Sequence, residues 1–152
     1  MTPQEELNTF LVDVFHSILR IEAQDVKSFG YRDLSISEMH VIEAACQAER
    51  EGGNSARGIA GLLGVTPGTL TAAVGPLEKK GYLVRSPDPG DRRRIRISPT
   101  EKGRQAESDH RRIHEKMVES VAGLLDENEM RALLRALKCI SAFFTKERNQ
   151  RL

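Results

Sequence analysis

Basic residues are concentrated in one short segment of this sequence. Residues 79–104 carry nine Lys or Arg against three Asp or Glu, although the chain of 152 residues has a net charge of only +1. The densest part is Asp91-Arg92-Arg93-Arg94, which follows a turn rich in proline and glycine. Clustered arginines attract polyanions, because each contact with a phosphate releases condensed counterions. The segment therefore favours a nucleic-acid partner, the alternative being a solvated basic loop.

A second group consists of small residues at the expected start of a helix. Threonine hydroxyls can bond phosphates or base edges, and threonine methyls can contact thymine methyls. Small side chains also let the backbone approach a ligand closely. The group contains no side chain, such as that of Arg or Asn, that can form two hydrogen bonds to one base. DNA shape is therefore expected to carry part of any sequence preference. The group comprises Thr66, Pro67, Gly68, Thr69, Thr71 and Ala72.

Four further residues form a candidate metal site. His110 and His114 are four residues apart, which places both imidazoles on one face of a helix. Glu22 and His40 lie in elements that the expected fold brings towards that helix. Alternatively, the histidines are solvated or line a ligand channel, and no cysteine lies nearby in sequence. We expect no resident cofactor, with zinc as the alternative.

The two cysteines and the remaining motifs exclude several classes of protein. Cys46 and Cys139 cannot form a disulfide framework, which is typical of a cytosolic protein. Both lie on apolar stripes, so we expect them to be buried and inert, which argues against a redox sensor. The sequence has no nucleotide-binding loop, no GxSxG or HExxH motif and no convincing carboxylate pair, so an enzyme is not expected.

Two features predict a cytoplasmic location without a membrane partner. No apolar run approaches the ~20 residues that a membrane span needs. The N-terminal segment MTPQEELNTF is acidic, which fits neither a signal peptide nor a transit peptide.

Helical periodicity and capping residues predict the elements that position these groups. A helix is expected over residues 5–26, and a capping box from Ser35 to Glu38 begins the next. Ser55 caps a short helix with Ile59, Leu62 and Leu63 directed inward. Gly64 ends it, and Thr66-Pro67 begins another helix that stops at Gly81.

The remaining pattern predicts a hairpin and two long helices. Residues 82–85 and 94–98 flank a Pro/Gly/Asp turn, so they are expected to form two strands whose outward positions are arginines. Thr100 opens a helix to about Leu125, and Asp126 opens the last one. A helix-turn-helix followed by a basic hairpin is a winged helix-turn-helix, which makes the predicted fold mainly α with a small β-wing.

This fold predicts how double-stranded DNA is bound. The helix beginning at Thr66 would enter the major groove, while the wing residues Asp91, Arg92, Arg93 and Arg94 would reach the flanking minor groove. Asp91 would pair with a neighbouring arginine. Ser55 and Lys79 are expected to contact the DNA backbone, with Lys80 and Lys102 as further candidates.

Apolar residues on two faces of both terminal helices predict a homodimer, the alternative being the core of a monomer. Residues 1–34 and 104–152 are the predicted dimerisation helices, and residues 35–103 the winged helix-turn-helix domain. A twofold dimer would set its two recognition helices about 34 Å apart, one turn of DNA.

The motifs resemble those of the MarR family of bacterial transcription regulators, over nearly the whole chain. Pro99 departs from the family, which usually has leucine before the threonine. The resemblance implies a winged-helix dimer that regulates transcription as a repressor. The matching motifs are the capping box at Ser35–Glu38, residues 55–80, Leu77-Glu78-Lys79-Lys80-Gly81-Tyr82-Leu83, Asp88-Pro89-Gly90-Asp91-Arg92-Arg93 and Thr100-Glu101-Lys102-Gly103.

Three further segments are similar to the branch of this family that represses fatty-acid-biosynthesis operons, namely residues 36–40, 66–71 and 110–119. In that branch, a long acyl chain on acyl carrier protein is the co-repressor. The resemblance implies a channel that holds the acyl chain. For each wall residue taken singly, the alternative is that it is an ordinary residue of the hydrophobic core. A small phenolic or hydrophobic ligand is the other candidate effector. The candidate wall residues are Phe15, Leu19, Met39, Ile42, His110, Ile113 and Met117.

Overall fold

The computed structural model describes residues 1–151, and this part of the chain contains six helices and two strands. The predicted class, mainly α with a small β-wing, is confirmed. In chain order the elements are α1 (Pro3–Ser28), α2 (Ile36–Arg50), α3 (Ala56–Leu63), α4 (Pro67–Lys79), β1 (Leu83–Pro87), β2 (Ile95–Pro99), α5 (Glu101–Ala122) and α6 (Glu127–Arg151).

The helices begin at residues that satisfy their own first backbone N–H groups. The predicted capping box of α2 is confirmed: the Glu38 N–H donates to Ser35 Oγ at 3.1 Å, and the Ser35 N–H donates to Glu38 Oε2 at 3.0 Å. Helix α1 begins earlier than expected because Thr2 and Glu5 form a second capping box. Thr66 caps α4 as predicted.

Residues Met1–Arg111 form one compact unit, whose core is built from α2, α3, α4 and the wing. Ile59, Leu70 and Leu77 are fully buried, as their spacing predicted. Leu62 was expected to point inward, but 39% of its surface is exposed. In an eight-residue helix only the face of Ile59 and Ala60 is buried, and Leu62 lies off that face.

The wing is an antiparallel pair in which Leu83 lies opposite Pro99 and Pro87 lies opposite Ile95. Asn54 fastens β2 to the start of α3, because its backbone carbonyl accepts from the Ile97 N–H at 2.9 Å and its side chain donates to Ser98 Oγ at 3.0 Å. The expectation that arginines occupy the outward positions is only partly right. Val84 and Ile95 are exposed as well.

Residues from Arg112 onward form a second compact unit, which holds the end of α5 and all of α6. Helix α6 buries no residue, although Leu137, Phe143 and Phe144 are large and apolar. The compact units thus divide the chain differently from the predicted domains, since α1 groups with the winged helix. The predicted role of residues 1–34 and 104–152 in dimerisation stays a prediction.

Within residues 1–151, no single helix is long and apolar enough to cross a membrane. Helices α3 and α4 reach the required length and composition only when taken together, as a pair bent by 102°.

Candidate nucleic-acid interface

The turn between α3 and α4 sets the direction of the second helix. Gly64 adopts φ +68°, a left-handed conformation that favours glycine. The Val65 N–H donates to the Ala60 carbonyl at 3.1 Å, which closes the end of α3. The chain then bends, so that α3 and α4 are inclined by 102°. This is the geometry of a helix-turn-helix.

The first two turns of α4 present an exposed face of small side chains, three of which are threonines. All six residues predicted for this face, which we call the α4 face (Thr66, Pro67, Gly68, Thr69, Thr71 and Ala72), are exposed. The Thr66 and Thr69 hydroxyls lie 2.9 Å apart, and Thr66 Oγ1 also accepts from the Thr69 N–H. The opposite side of the helix is anchored in the core by Leu70 and Val74. The α4 face is therefore available to a ligand without rearrangement of the fold.

Neither the backbone conformation nor a close contact within the chain requires glycine at position 68. Its φ is not positive, and a Cβ added there would meet nothing within 4 Å. Glycine inside a helix costs about 1 kcal/mol relative to alanine. The missing side chain is useful only to something outside the chain, such as a ligand that approaches the backbone closely.

Hydrogen bonds accepted by two aspartates shape the tip of the wing. Asp88 Oδ1 accepts from the Gly90 N–H at 2.7 Å, and Asp88 Oδ2 accepts from Arg96 Nε at 3.0 Å. The Gly90 N–H, followed by Arg96, lowers the pKa of Asp88. Asp91 accepts from the Arg93 N–H at 3.0 Å and lies 3.9 Å from Arg94 Nε. Asp91 thus pairs with a neighbouring arginine, as the sequence predicted.

Most cations of the basic segment are neutralised by the fold. We call five residues the paired cations: Lys80 with Glu38, Arg85 with Glu78, Arg96 with Asp88, Lys102 with Asp33 and Arg104 with Glu49. Lys80 and Lys102, expected as further backbone contacts, are therefore paired with acidic residues of the fold, although Lys102 stays exposed. The basic segment as a whole is less available to a polyanion than its composition indicates.

Four cations near the α4 face and the wing have no acidic partner among the described residues. These unpaired cations are Arg57, Lys79, Arg92 and Arg93, and all four are exposed. Arg92 and Arg93 stand at the wing tip, as predicted. Arg57, near the start of α3, was missed because a single arginine gives no signal in the sequence. Ser55 is half-buried, and its Oγ accepts from the Gly58 N–H at 3.1 Å, so its hydroxyl can still donate to a phosphate.

The wing and the α4 face are connected directly. Arg85 on β1 donates from Nη2 to the Thr71 carbonyl at 3.1 Å, and its other amino group bonds Glu78 on α4. This bidentate contact fixes the wing against the helix whose first turns are exposed. The sequence did not reveal it, since Arg85 looked like one more surface arginine.

The seven predicted effector-channel residues are in very different environments. Met39, Ile42 and His110 are fully buried, whereas Phe15 is 60% exposed. Leu19, Ile113 and Met117 are half-buried. Met39 and Ile42 belong to the hydrophobic core, which is the alternative that the sequence left open for them. The channel stays a prediction.

Three of the four candidate metal ligands lie together where α1, α2 and α5 meet. Glu22 Oε2 is 3.5 Å from His40 Nε2, and Glu22 Oε1 is 3.7 Å from His110 Nε2. Glu43 Oε1 lies 3.6 Å from the same His110 nitrogen. His114 lies one helical turn beyond His110 on α5 and is half-buried. We call Glu22, His40 and His110 the carboxylate–histidine cluster.

The two cysteines differ in exposure: Cys46 is buried and Cys139 is exposed. Cys46 is buried as expected, and burial, followed by the negative charge of Glu107, raises its pKa to about 11. It therefore stays a protonated, unreactive thiol at neutral pH. The expectation that Cys139 is buried is wrong for the chain itself, because α6 packs none of its side chains into a core.

Comparison with known proteins gives consistent matches. A model of the MarR family matches residues 34–95. The crystal structure of Streptococcus pneumoniae FabT in complex with DNA is 30% identical, with a TM-score of 0.86, covering 94% of this chain and 98% of that one. The S. aureus MepR-DNA complex is 21% identical, with a TM-score of 0.73, covering 91% of this chain and 97% of that one, and shows likeness of fold.

One sequence match is short. Over 36 residues the chain is 53% identical to the "Uncharacterized HTH-type transcriptional regulator YcgE" of Bacillus subtilis (strain 168). The match spans 24% of this chain and 23% of that protein.

Proposed function

Because the chain belongs to the MarR family of DNA-binding transcriptional regulators, we propose that it is a repressor that binds double-stranded DNA through the α4 face and the wing tip. The α4 face enters the major groove, where each base pair offers a distinct pattern of donors and acceptors. Arg92 and Arg93 enter the adjacent minor groove. The observation that carries this proposal is the contact from Arg85 to Thr71, which fastens strand β1 of the wing to the helix that carries the α4 face.

The test is a titration of duplex DNA from the region upstream of the gene, with a scrambled duplex of equal length as control. We expect tighter binding to the native duplex, and affinity for both that falls steeply between 50 and 200 mM salt (roughly tenfold or more), because phosphate contacts release counterions. Binding that ignores both salt and sequence would contradict the proposal.

The regulator acts as a homodimer in this proposal. Helices α1 and α6 expose apolar side chains at helical spacing, including Phe10, Val14, Leu137 and Phe144. Exposed apolar faces of this kind mark interfaces, since their burial stabilises by about 25 cal/mol per Å². Two copies related by a twofold axis would read two half-sites about one DNA turn apart. A cytoplasmic location stays a prediction of the sequence.

For the effector, we propose a long acyl chain carried by acyl carrier protein, with fatty-acid-biosynthesis genes as the regulon. The support is the resemblance of residues 36–40, 66–71 and 110–119 to that branch, together with the 30% identity to FabT. The experiment adds acyl carrier protein bearing a long acyl chain to the DNA titration, with the unacylated carrier as control. A change in DNA affinity that the unacylated carrier does not produce is expected. An equal effect of a small phenolic or hydrophobic compound would favour that alternative ligand.

A second candidate function, zinc-dependent regulation, is favoured by the carboxylate–histidine cluster. The ligand atoms of Glu22, His40 and His110 all lie within 4.8 Å of one another. In a tetrahedral zinc site with bonds of about 2.0–2.2 Å the ligand atoms lie roughly 3.3–3.6 Å apart. The Glu22 oxygens are 3.5 Å from His40 Nε2 and 3.7 Å from His110 Nε2, close to that spacing. One carboxylate and two imidazoles form a donor set that zinc accepts.

Metal content decides this second candidate. Protein dialysed against a chelator is titrated with zinc, and bound metal is measured together with DNA affinity. Zinc regulation predicts one ion per chain and a DNA affinity that follows occupancy, both lost in His110→Gln. A dialysed chain whose DNA affinity ignores added zinc removes the candidate.

A further inference from the structure

Asp33, in the segment between α1 and α2, bonds to more parts of the fold than any pattern in the sequence indicates. Its Oδ1 accepts from the Tyr82 hydroxyl at 2.8 Å, and its Oδ2 lies 3.9 Å from Lys102 Nζ. Its backbone carbonyl accepts from Lys80 Nζ. One residue thus joins the end of α4, the start of the wing and the start of α5.

The residues that Asp33 holds are themselves tied to one another. Lys102 Nζ donates to the Lys80 carbonyl at 2.9 Å and lies 4.3 Å from the centre of the Tyr82 ring. Lys80 Nζ also bonds both carboxylate oxygens of Glu38 at 2.9 Å. The Tyr82 ring is fully buried, and burial, followed by the bond to Asp33, raises the pKa of its hydroxyl. Tyr82 therefore stays a donor at every physiological pH.

The same segment is fastened to α5 at a second point. The Tyr31 hydroxyl donates to Asp109 Oδ2, and the Tyr31 ring meets the Tyr82 ring edge-on, with centroids 6.5 Å apart. Asp109 lies one residue before His110, which belongs to the carboxylate–histidine cluster. The segment of residues 29–35 therefore contacts α5 one residue from that cluster and also contacts the C-terminal end of α4.

The contacts of Asp33 lie at the C-terminal end of α4, and their position matters because a small tilt there moves the first turn of the helix by a larger distance. The helix has 13 residues and so is about 20 Å long. A tilt of about 3° at its C-terminal end moves its first turn by about 1 Å over that length. Such a shift breaks hydrogen bonds to base edges, which tolerate only a few tenths of an ångström, but affects contacts of long flexible cations with phosphates much less.

We infer that Asp33 is a positioning residue that sets the tilt of α4 and thereby controls base recognition rather than overall DNA attraction. In this inference its effect passes through Tyr82 and Lys80 and not through a contact of its own with DNA. The inference rests on the proposed entry of the α4 face into the major groove.

The test compares the affinities of variants for the native upstream duplex and for a scrambled duplex. In Asp33→Ala we expect the preference for the native duplex to fall about tenfold, with less than a twofold change on the scrambled one. Tyr82→Phe, which keeps the buried ring, should show the same loss, and the double variant should lose no more than either single one. Asp33→Asn keeps an acceptor for Tyr82 and should retain most of the preference. Glu51→Ala, at an exposed position at the end of α2, is the matched control.

Two results would overturn the inference. One is an equal loss on both duplexes together with a lower melting temperature, which would make Asp33 merely structural. The other is a wild-type preference that Asp33→Ala and Tyr82→Phe both keep, which leaves the proposed function standing. A wild-type chain with no preference between the duplexes would contradict the proposed function and this inference with it.

Discussion

The α4 face and the apolar side of α6 are both exposed, but they are exposed for different physical reasons. The α4 face is small and polar, and its helix is anchored by a buried opposite side. Helix α6 spans 25 residues without burying any of them, and its exposed side chains include Leu133, Leu137 and Phe144. Polar surface is stable in water, whereas a long apolar stripe is not. The first surface can bind a ligand as it stands, whereas the second is the surface that the proposed dimer would cover.

The largest effect is expected from charges placed on the apolar side of α6. Leu137→Glu combined with Phe144→Glu removes two apolar side chains, each worth roughly 1.5–3 kcal/mol when buried, and adds two charges. We expect the dimer to dissociate at concentrations where the wild type is fully dimeric, as measured by sedimentation velocity. Lys138→Glu, on the polar side of the same helix, is the control. A variant that stays dimeric would show that this stripe is not the interface.

The next effect is expected at the wing tip. Arg92→Ala should weaken binding to the native duplex about tenfold or more and reduce the slope of affinity against salt by about one phosphate contact per chain. Arg135→Ala, on the side of α6 away from Leu137 and Phe144, removes the same charge outside the α4 face and wing tip. Unchanged affinity at moderate salt in Arg92→Ala would mean that the wing does not bind DNA.

A smaller effect with opposite signs on folding and binding is expected at Gly68. Alanine should raise the free energy of unfolding by roughly 0.5–1 kcal/mol because helix propensity improves, and nothing lies within 4 Å of the new methyl. The same methyl should weaken DNA binding several-fold by preventing close approach of the backbone. Gly61→Ala, also at an open exposed position, should give the stability gain with a smaller loss of affinity. Equal DNA affinity in Gly68→Ala would remove the reason given for this glycine.

The smallest effect is expected from Thr69→Ala, which should change selectivity more than affinity. The variant loses a hydroxyl and a methyl that can meet base edges, while the unpaired cations are untouched. Competition with single-base variants of the native duplex should show a relaxed preference of a few-fold at one position per half-site. A uniform loss on every sequence would reassign Thr69 to the phosphate backbone.

The sequence predicted the helix-turn-helix and the wing well because local chemistry determines them. Gly64, Thr66 and the capping box at Ser35 act within a few residues, so their effects can be read from spacing alone. The exposure of the α4 face followed from the burial of Leu70, Val74 and Leu77 on the other side.

Long-range pairing could not be predicted in the same way. Lys80 and Lys102 looked like free cations, because their partners Glu38 and Asp33 lie more than forty residues away in sequence. Arg57 was missed because a single arginine gives no signal in the sequence. Only the fold shows that it is exposed and has no acidic partner among the described residues. Cys139 and Leu62 were placed inside by periodicity, which identifies an apolar face but does not tell whether the same chain covers it.

Hydroxyl-radical footprinting of the native upstream duplex tests the central claim most directly. Two chains that each insert an α4 face should protect two stretches about 10 base pairs apart, centre to centre, on one face of the DNA. The flanking minor-groove protection should disappear in a variant carrying both Arg92→Ala and Arg93→Ala. A single protected stretch, or a pattern that the double variant leaves unchanged, would contradict the account.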